Sequence, residues 1–355
     1  MSSHVTRIIA AACLSAGLGA SLAAGQAADT SAAHRAVARN IGAKEWPELL
    51  NSLCPEPAAR GGAAQRGATA ASGRAGGAAA PARGRGTGAP QPPPREQWHA
   101  EPVKVFDNLY FLGQTEYSVW AVKTSEGLIL IDSIFDYSVD DEVVGGLKKM
   151  GLDPATIKYV VISHGHGDHS GGAKYLQDRF NAKVLLAAED WDLLDRSNGT
   201  KPRRDVVATD GQKLTLGDTT ITLYKTPGHT LGTLSTVIPV KDNGTPHVAV
   251  SWGGTAFNWM AGPAAYITPE RPQRFWFETY STSAKRFRAV AAQAGADVLI
   301  SNHTIFDGSK TKLPALEKRK PGDPHPYVIG KEGVQRYLTV VDECAQAGLA
   351  ATPTR

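Results

Sequence analysis

The sequence predicts an α/β protein of the α+β kind, with two β-sheets packed face to face and helices on the outside. Three observations carry this. Short strand-like runs come in two series along the chain, each followed by helical patterning. Gly, Asn and Asp punctuate those runs at turn-like intervals. No short-period repeat is present that would point to a solenoid or propeller instead.

In order, Val103–Phe106 and Leu109–Leu112 read as strands joined by Asp107-Asn108, and Ser118–Lys123 and Leu128–Ile131 as strands split by Glu126-Gly127. Asp140–Met150 has acids at its start and lysines at its end, which suits a helix dipole. Tyr159–Ile162 is a strand, 172–180 a helix, Ala182–Ala187 a strand and Asp190–Arg196 a short helix. Residues 205–225 alternate around Gly211 and Gly217 as hairpins do. Leu234–Val240 and His247–Ser251 are strands, Glu278–Ala294 a helix, Asp297–Ser301 a strand and Lys331–Ala347 the closing helix.

The termini divide the 355 residues further. Arg7, the apolar run Ile8–Leu22 and the small residues Ala23-Ala24-Gly25-Gln26-Ala27 read as a signal peptide over 1–27, so the expected location is periplasmic. The run is too short for stable membrane insertion. Residues 28–54 read as a helical segment, and 55–97 as a disordered linker of Ala, Gly, Pro and Arg that cannot bury enough surface to offset ordering. That linker holds six arginines against two glutamates, which equals the whole formal net charge of +4. The rest is balanced, and no basic folded face for nucleic acid is implied. A catalytic domain is expected over 98–355. Removing the signal leaves Cys54 and Cys344, which an oxidising compartment lets pair, unless they are two separate buried thiols.

The chemistry concentrates in Ser163–Gly172, SHGHGDHSGG, between a strand and a helix. His164, His166, Asp168 and His169 fall within six residues, and Gly165 and Gly167 let the backbone curl between them. Imidazole suits zinc and a carboxylate adds an oxygen ligand. Asp168 and His169 are adjacent and cannot share the geometry of the first two, which suggests two metal positions. His229, in Thr226-Pro227-Gly228-His229-Thr230, and His303, in Ser301-Asn302-His303-Thr304, also follow strands and complete the candidate set. His34, His99, His247 and His325 lie beside turns or termini and read as structural. Tyr117, Trp120, Trp252, Phe257 and Trp259 are candidates for an aromatic pocket wall or for the core.

His-x-His-x-Asp-His, the later Pro-Gly-His-Thr, a last strand-end histidine and the run Leu128-Ile129-Leu130-Ile131-Asp132 resemble the metallo-β-lactamase fold superfamily over about residues 103–308. The resemblance implies a four-layer αβ/βα sandwich of two mixed sheets with the metals at one edge. It implies two zinc ions per chain, the first on His164, His166 and His229, the second on Asp168, His169 and His303. Asp132 would support the loop bearing these ligands, and Asp168 would also be catalytic, orienting the nucleophile. Many hydrolases of the superfamily place a carboxylate between the metals from a strand that here is His247–Ser251; that strand and the following Trp252-Gly253-Gly254 offer none. No cysteine lies near the ligands either. The chain is therefore similar to the third metallo-β-lactamase subclass. The implied activity is an exported, monomeric dizinc hydrolase that opens a cyclic amide, a β-lactam, by attack of a metal-bound hydroxide on a small-molecule substrate. The alternatives are a zinc-dependent hydrolase of a lactone or other ester, and a non-catalytic metal-binding protein of the same fold.

Overall fold

A computed structural model describes residues 30–55 and 91–353. The signal peptide and most of the linker expected from the sequence lie outside these residues. The first sheet runs in the order β1 (Val103–Phe106), β2 (Leu109–Phe111), β3 (Trp120–Thr124), β4 (Gly127–Ile131), β5 (Ile157–Val161), β6 (Lys183–Ala187), β7 (Val206–Ala208). It is antiparallel from β1 to β4 and parallel from β4 to β7. The second sheet has the order β12 (Val298–Ser301), β11 (Thr245–Trp252), β10 (Leu234–Asp242), β9 (Thr219–Lys225), β8 (Gln212–Leu216), antiparallel except for β11 against β12.

Three apolar clusters show the layering. Between the sheets, Phe111, Trp120, Ile129, Ile131, Val161 and Leu185 meet Ile221, Leu223, Leu234, Ile238, Ala249 and Ile300. On the outer face of the first sheet lie three helices: the wide-turned Asp140–Gly145 continuing as Gly146–Lys149 (α3), Ala173–Phe180 (α5) and Ala188–Arg196 (α6). On the outer face of the second lie Gln273–Ala294 (α9) and Gly330–Ala351 (α11). In α9 the buried Trp276, Phe277, Tyr280, Ala284, Phe287 and Ala291 recur at helical spacing, and Gly295 in the left-handed region (φ 67°) ends the helix. This is the four-layer αβ/βα sandwich expected from the sequence.

Differences from the sequence reading are local. Residues 205–225 do not form successive hairpins. Val206–Ala208 instead crosses to the first sheet and pairs parallel with β6, with Leu185 opposite Val206, and only β8 and β9 form a hairpin. The alternation of the segment is the same for either pairing. Four of the five candidate wall aromatics, Trp120, Trp252, Phe257 and Trp259, are core residues. The helix Ser309–Glu317 (α10) and the short Asn258–Ala261 (α7) and Pro263–Tyr266 (α8) were not legible, since polar and proline-containing runs carry little helical periodicity.

The helical lead segment is a helix over 30–42 (α1) followed by Pro47–Leu53 (α2). Leu49, Leu50 and Leu53 are buried in the cluster that holds Val334, Tyr337, Leu338 and Val341 of α11, and Trp46 meets Tyr337 edge-on at 5.4 Å. Fully burying each leucine contributes roughly 1.5–3 kcal/mol. Cys54 and Cys344 are disulfide-bonded, with Cα atoms 5.1 Å apart. Cys344→Ser should lower stability by about 2–4 kcal/mol, because the bridge closes a long loop in the unfolded chain. Denaturant melts of wild type and variant check this, and an unchanged midpoint with two titratable thiols in the wild type would refute it.

Candidate metal centre

The site lies where carboxyl ends of strands from both sheets meet. The parallel neighbours β4 and β5 end with Ile131 opposite Val161 and lead into Asp132 and Ser163, and the parallel pair β11 and β12 ends with Trp252 opposite Ser301. After β5 the chain passes through His164 and His166 into the one-turn helix Gly167–Ser170 (α4), which carries Asp168 and His169. His229 sits in the turn between β9 and β10, and His303 just after β12. All six candidate ligands and Asp132 are thus brought to one place, including two that lie more than a hundred residues apart in sequence.

The atoms converge as two triads. His229 Nε2 is 3.0 Å from His164 Nε2 and 3.2 Å from His166 Nδ1. His169 Nε2 is 3.2 Å from His303 Nε2 and 3.3 Å from Asp168 Oδ2, and His303 Nε2 is 3.7 Å from the same oxygen. The rings of His164 and His169, 4.2 Å apart, join the two groups.

The outer ring nitrogens fix which inner ones carry lone pairs. His164 Nδ1–H donates to Gly253 O at 2.8 Å and His229 Nδ1–H to Ala256 O at 2.7 Å. A carbonyl only accepts, so both Nε2 atoms are unprotonated in the neutral rings. They face each other at 3.0 Å with no proton between them, joined by His166 Nδ1, whose Nε2 lies 2.8 Å from Tyr266 Oη. Three converging acceptors fit a cation. One amide reaches them from the side, Asn258 Nδ2, 3.1 Å from His229 Nε2 and 3.4 Å from His166 Nδ1.

The second triad is framed by charge. Asp132, in the left-handed region (φ 66°), accepts Ser163 N through Oδ1 at 2.6 Å; its Oδ2 accepts Ser163 Oγ and His169 Nδ1, each at 2.9 Å. An aspartate tolerates that backbone better than most residues. Asn302 Nδ2 donates both to Ser163 Oγ and to Gly253 O, tying the His303 turn to the central loop. Asp168 Oδ1 is buried without a hydrogen-bond partner. Such an orphan acceptor beside three imidazoles is a position for a cation or its water.

Protonation follows from burial and neighbours. Burial, reinforced by the facing imidazoles, pushes His164 and His229 well below the usual imidazole range, His166 to about 4 and His303 to about 3. For His169 burial acts in the same direction, but Asp168 and Asp132 outweigh it and raise the ring to about 10. Burial would raise Asp168, yet His169, His303 and His166 hold it far below the usual carboxylate range. The pocket therefore favours positive charge at the second triad and neutral imidazoles at the first, which is the donor set a pair of zinc ions needs.

Around the centre, Tyr117 meets His303 edge-on at 5.1 Å and Phe135 at 5.2 Å, and Phe135 stacks on Tyr137 at 5.2 Å. Tyr117 is the one candidate wall aromatic that lines the site; Phe135 and Tyr137 had no sequence signal beyond their place after Asp132. Gly254 is where a side chain from the end of β11 would enter, and a Cβ there would lie 2.5 Å from His229 Cβ. With Gly253 equally hemmed in by Leu234 O, at 1.8 Å from an added Cβ, neither glycine of this turn can carry a carboxylate side chain. His34, His99 and His247 pair with Glu343, Glu142 and Asp297, and His325 with Val105 O, all in structural contacts.

Comparison with known proteins gives a consistent answer. A family model described as the metallo-beta-lactamase superfamily matches residues 112–242. Among solved structures the chain is similar to BJP-1, a subclass B3 metallo-beta-lactamase of Bradyrhizobium japonicum: 26% identity, TM-score 0.57, covering 69% of this chain and 91% of that one. Native FEZ-1 metallo-beta-lactamase from Legionella gormanii is 25% identical with a TM-score of 0.56, over 70% of this chain and 94% of that one. A hydroxyacylglutathione hydrolase of Cronobacter sakazakii is 31% identical over 117 residues, 33% of this chain and 41% of that protein. With such curated relatives the match spans 28%, 41% or 50% of their length.

The four depressed imidazoles give the metal-free protein a defined acid response. Below their ordinary pKa near 6.5 the unfolded chain binds protons that the folded site refuses, so stability falls as pH drops from about 7 toward 4. Calorimetry of chelator-treated protein should show a falling melting temperature over that range. A flat profile would mean that the imidazoles titrate freely, and a rising one that the folded site takes up protons more readily than the unfolded chain.

Proposed function

We propose that this chain, which carries a metallo-β-lactamase superfamily domain, is an exported, monomeric dizinc hydrolase that opens the cyclic amide of a β-lactam. The observation that carries this reading is the pair of convergent triads, one of three neutral imidazoles and one of two imidazoles with Asp168. His164 Nε2, His166 Nδ1 and His229 Nε2 would hold the first ion; Asp168, His169 Nε2 and His303 Nε2 the second. When bound, zinc supplies a Lewis acid for the substrate carbonyl and brings the pKa of a bound water to about 7, so that a nucleophile exists at neutral pH.

The chain's own groups do the rest. Asp168 Oδ1, free of other hydrogen bonds, would accept a hydrogen bond from the attacking water and so orient it. Asp132 holds the His169 ring through Nδ1, leaving Nε2 directed at the site. The Gly253 and Ala256 carbonyls do the same for His164 and His229. Tyr117 and Phe135 shield the His303 side from water and offer a face to an apolar substituent of the substrate.

A second reading, hydrolysis of a lactone, ester or thioester, is favoured by the likeness to hydroxyacylglutathione hydrolases. The glycine pair at the end of β11 argues against it, because the family's bridging carboxylate has no place there. Zinc-loaded protein should turn over nitrocefin and leave a lactone and thioester panel untouched, with chelator abolishing turnover; the reverse preference would select the second reading, and no turnover of any substrate a binding role. Asp168→Ala should lower turnover by about 100- to 10,000-fold and drop the metal content from two ions to one, with an unchanged circular dichroism spectrum. Full activity at two ions per chain would remove Asp168 from the mechanism.

A further inference from the structure

Asp190 lies in the first turn of α6, and sequence patterning marks it only as a helix start. Its side chain is nevertheless buried, with 1% of the residue exposed, and both carboxylate oxygens are turned toward the metal-site loops. Asp190 Oδ2 accepts Gly165 N at 2.8 Å and Thr230 Oγ1 at 2.7 Å; Oδ1 accepts Gly232 N at 2.9 Å. Gly165 lies between His164 and His166, Thr230 directly follows His229, and Gly232 closes the same turn. One carboxylate therefore touches the chain on either side of the first triad. Thr230 and Thr233 complete the turn, Thr230 N donating to Thr233 Oγ1 at 3.0 Å.

The approach is close enough to dictate residue types. A Cβ on Gly232 would lie 2.7 Å from Asp190 Oδ1, and one on Gly165 3.1 Å from the Asp190 carbonyl oxygen. Burying a carboxylate that is met only by N–H and O–H groups is costly, and here burial pushes its carboxyl up to about 6. The expense has a counterpart in geometry, since two loops joined in the backbone by Leu234 N to Ser163 O at 2.7 Å are locked further along to one acceptor. Asp132 makes no such contact with the His229 turn; it serves Ser163 and His169. The two non-ligating carboxylates divide the centre between them.

We propose that Asp190 is the positioning residue of the first triad: by clamping Gly165, Thr230 and Gly232 it sets the separation of His164 and His166 from His229, and with it the affinity of the first metal position. The inference rests on reading those histidines as ligands, and it makes no use of the substrate.

The test uses the full-length oxidised protein and Asp190→Asn, which keeps the side chain's size but turns an amide N–H toward one of the three donors. Zinc affinities by chelator competition, the Co(II) ligand-field spectrum and backbone amide exchange of the metal-free protein are read together. The expected result is a loss of about 10- to 100-fold in affinity at one of two sites, a change in one cobalt site's spectrum, and faster exchange at Gly165 and Gly232. Should Asp190→Asn fold poorly, Thr230→Val removes one of the three bonds and should weaken the same single site to a smaller degree. Two unchanged affinities, or an equal loss at both sites alongside a lower melting temperature, would overturn the proposal while leaving the dizinc reading intact. A wild-type chain that binds no divalent cation would overturn the reading beneath it as well.

Discussion

The structure depends on an arrangement that would be repulsive by itself. His164 and His229 spend their N–H groups outward, on the carbonyls of Gly253 and Ala256, and turn two lone pairs toward each other at 3.0 Å. Both carbonyls come from the turn that follows β11. That turn therefore sets the tautomer of two ligands on different loops, and it must be narrow, which is why Gly254 can lie against the His229 ring. The sheets supply the rigidity. The parallel pairs β4–β5 and β11–β12 end side by side, so small errors in one loop are not absorbed by its neighbour.

Charge is distributed to match. Asp168 and Asp132 flank His169 and hold it positive when no metal is present, whereas the first triad has no acid among its members and stays neutral. The two halves of the centre thus differ in electrostatics before any ion arrives. The rim differs too. Tyr117, Phe135 and Tyr137 form an aromatic edge beside His303, while the segment bearing α7 and α8 brings Asn258 and Tyr266 to the opposite triad. A substrate lying across the centre would meet a hydrocarbon surface at one end and hydrogen-bonding groups at the other.

The fold and the six convergent side chains were legible because both are encoded locally: strands as short apolar runs, and the centre as histidines placed directly after them. Asp132 was legible only through its place after Leu128–Ile131. Asp190 was not, since a carboxylate at a helix start is an ordinary dipole partner, and only the approach of the Gly165 and Gly232 loops makes it unusual. The same holds for Tyr266 and Asn258, which reach the site from a segment without clear periodicity. Of the two roles open to the aromatic candidates, wall or core, the core holds for Trp120, Trp252, Phe257 and Trp259. Trp120 and Trp252 are buried from β3 and β11, and Trp259 from the short helix α7. Val206–Ala208 shows the limit for topology, because alternation specifies which face a strand buries but not which partner it takes.

The bond between Cys54 and Cys344 joins the lead helices to α11 across 290 residues of sequence. Peptide-bond cleavage anywhere between the two cysteines leaves a single covalent molecule, so a protease that severs the stretch joining α2 to β1 releases nothing until a reductant follows. Retention of the lead helices is thereby governed by the redox state of the surroundings as well as by the integrity of the main chain.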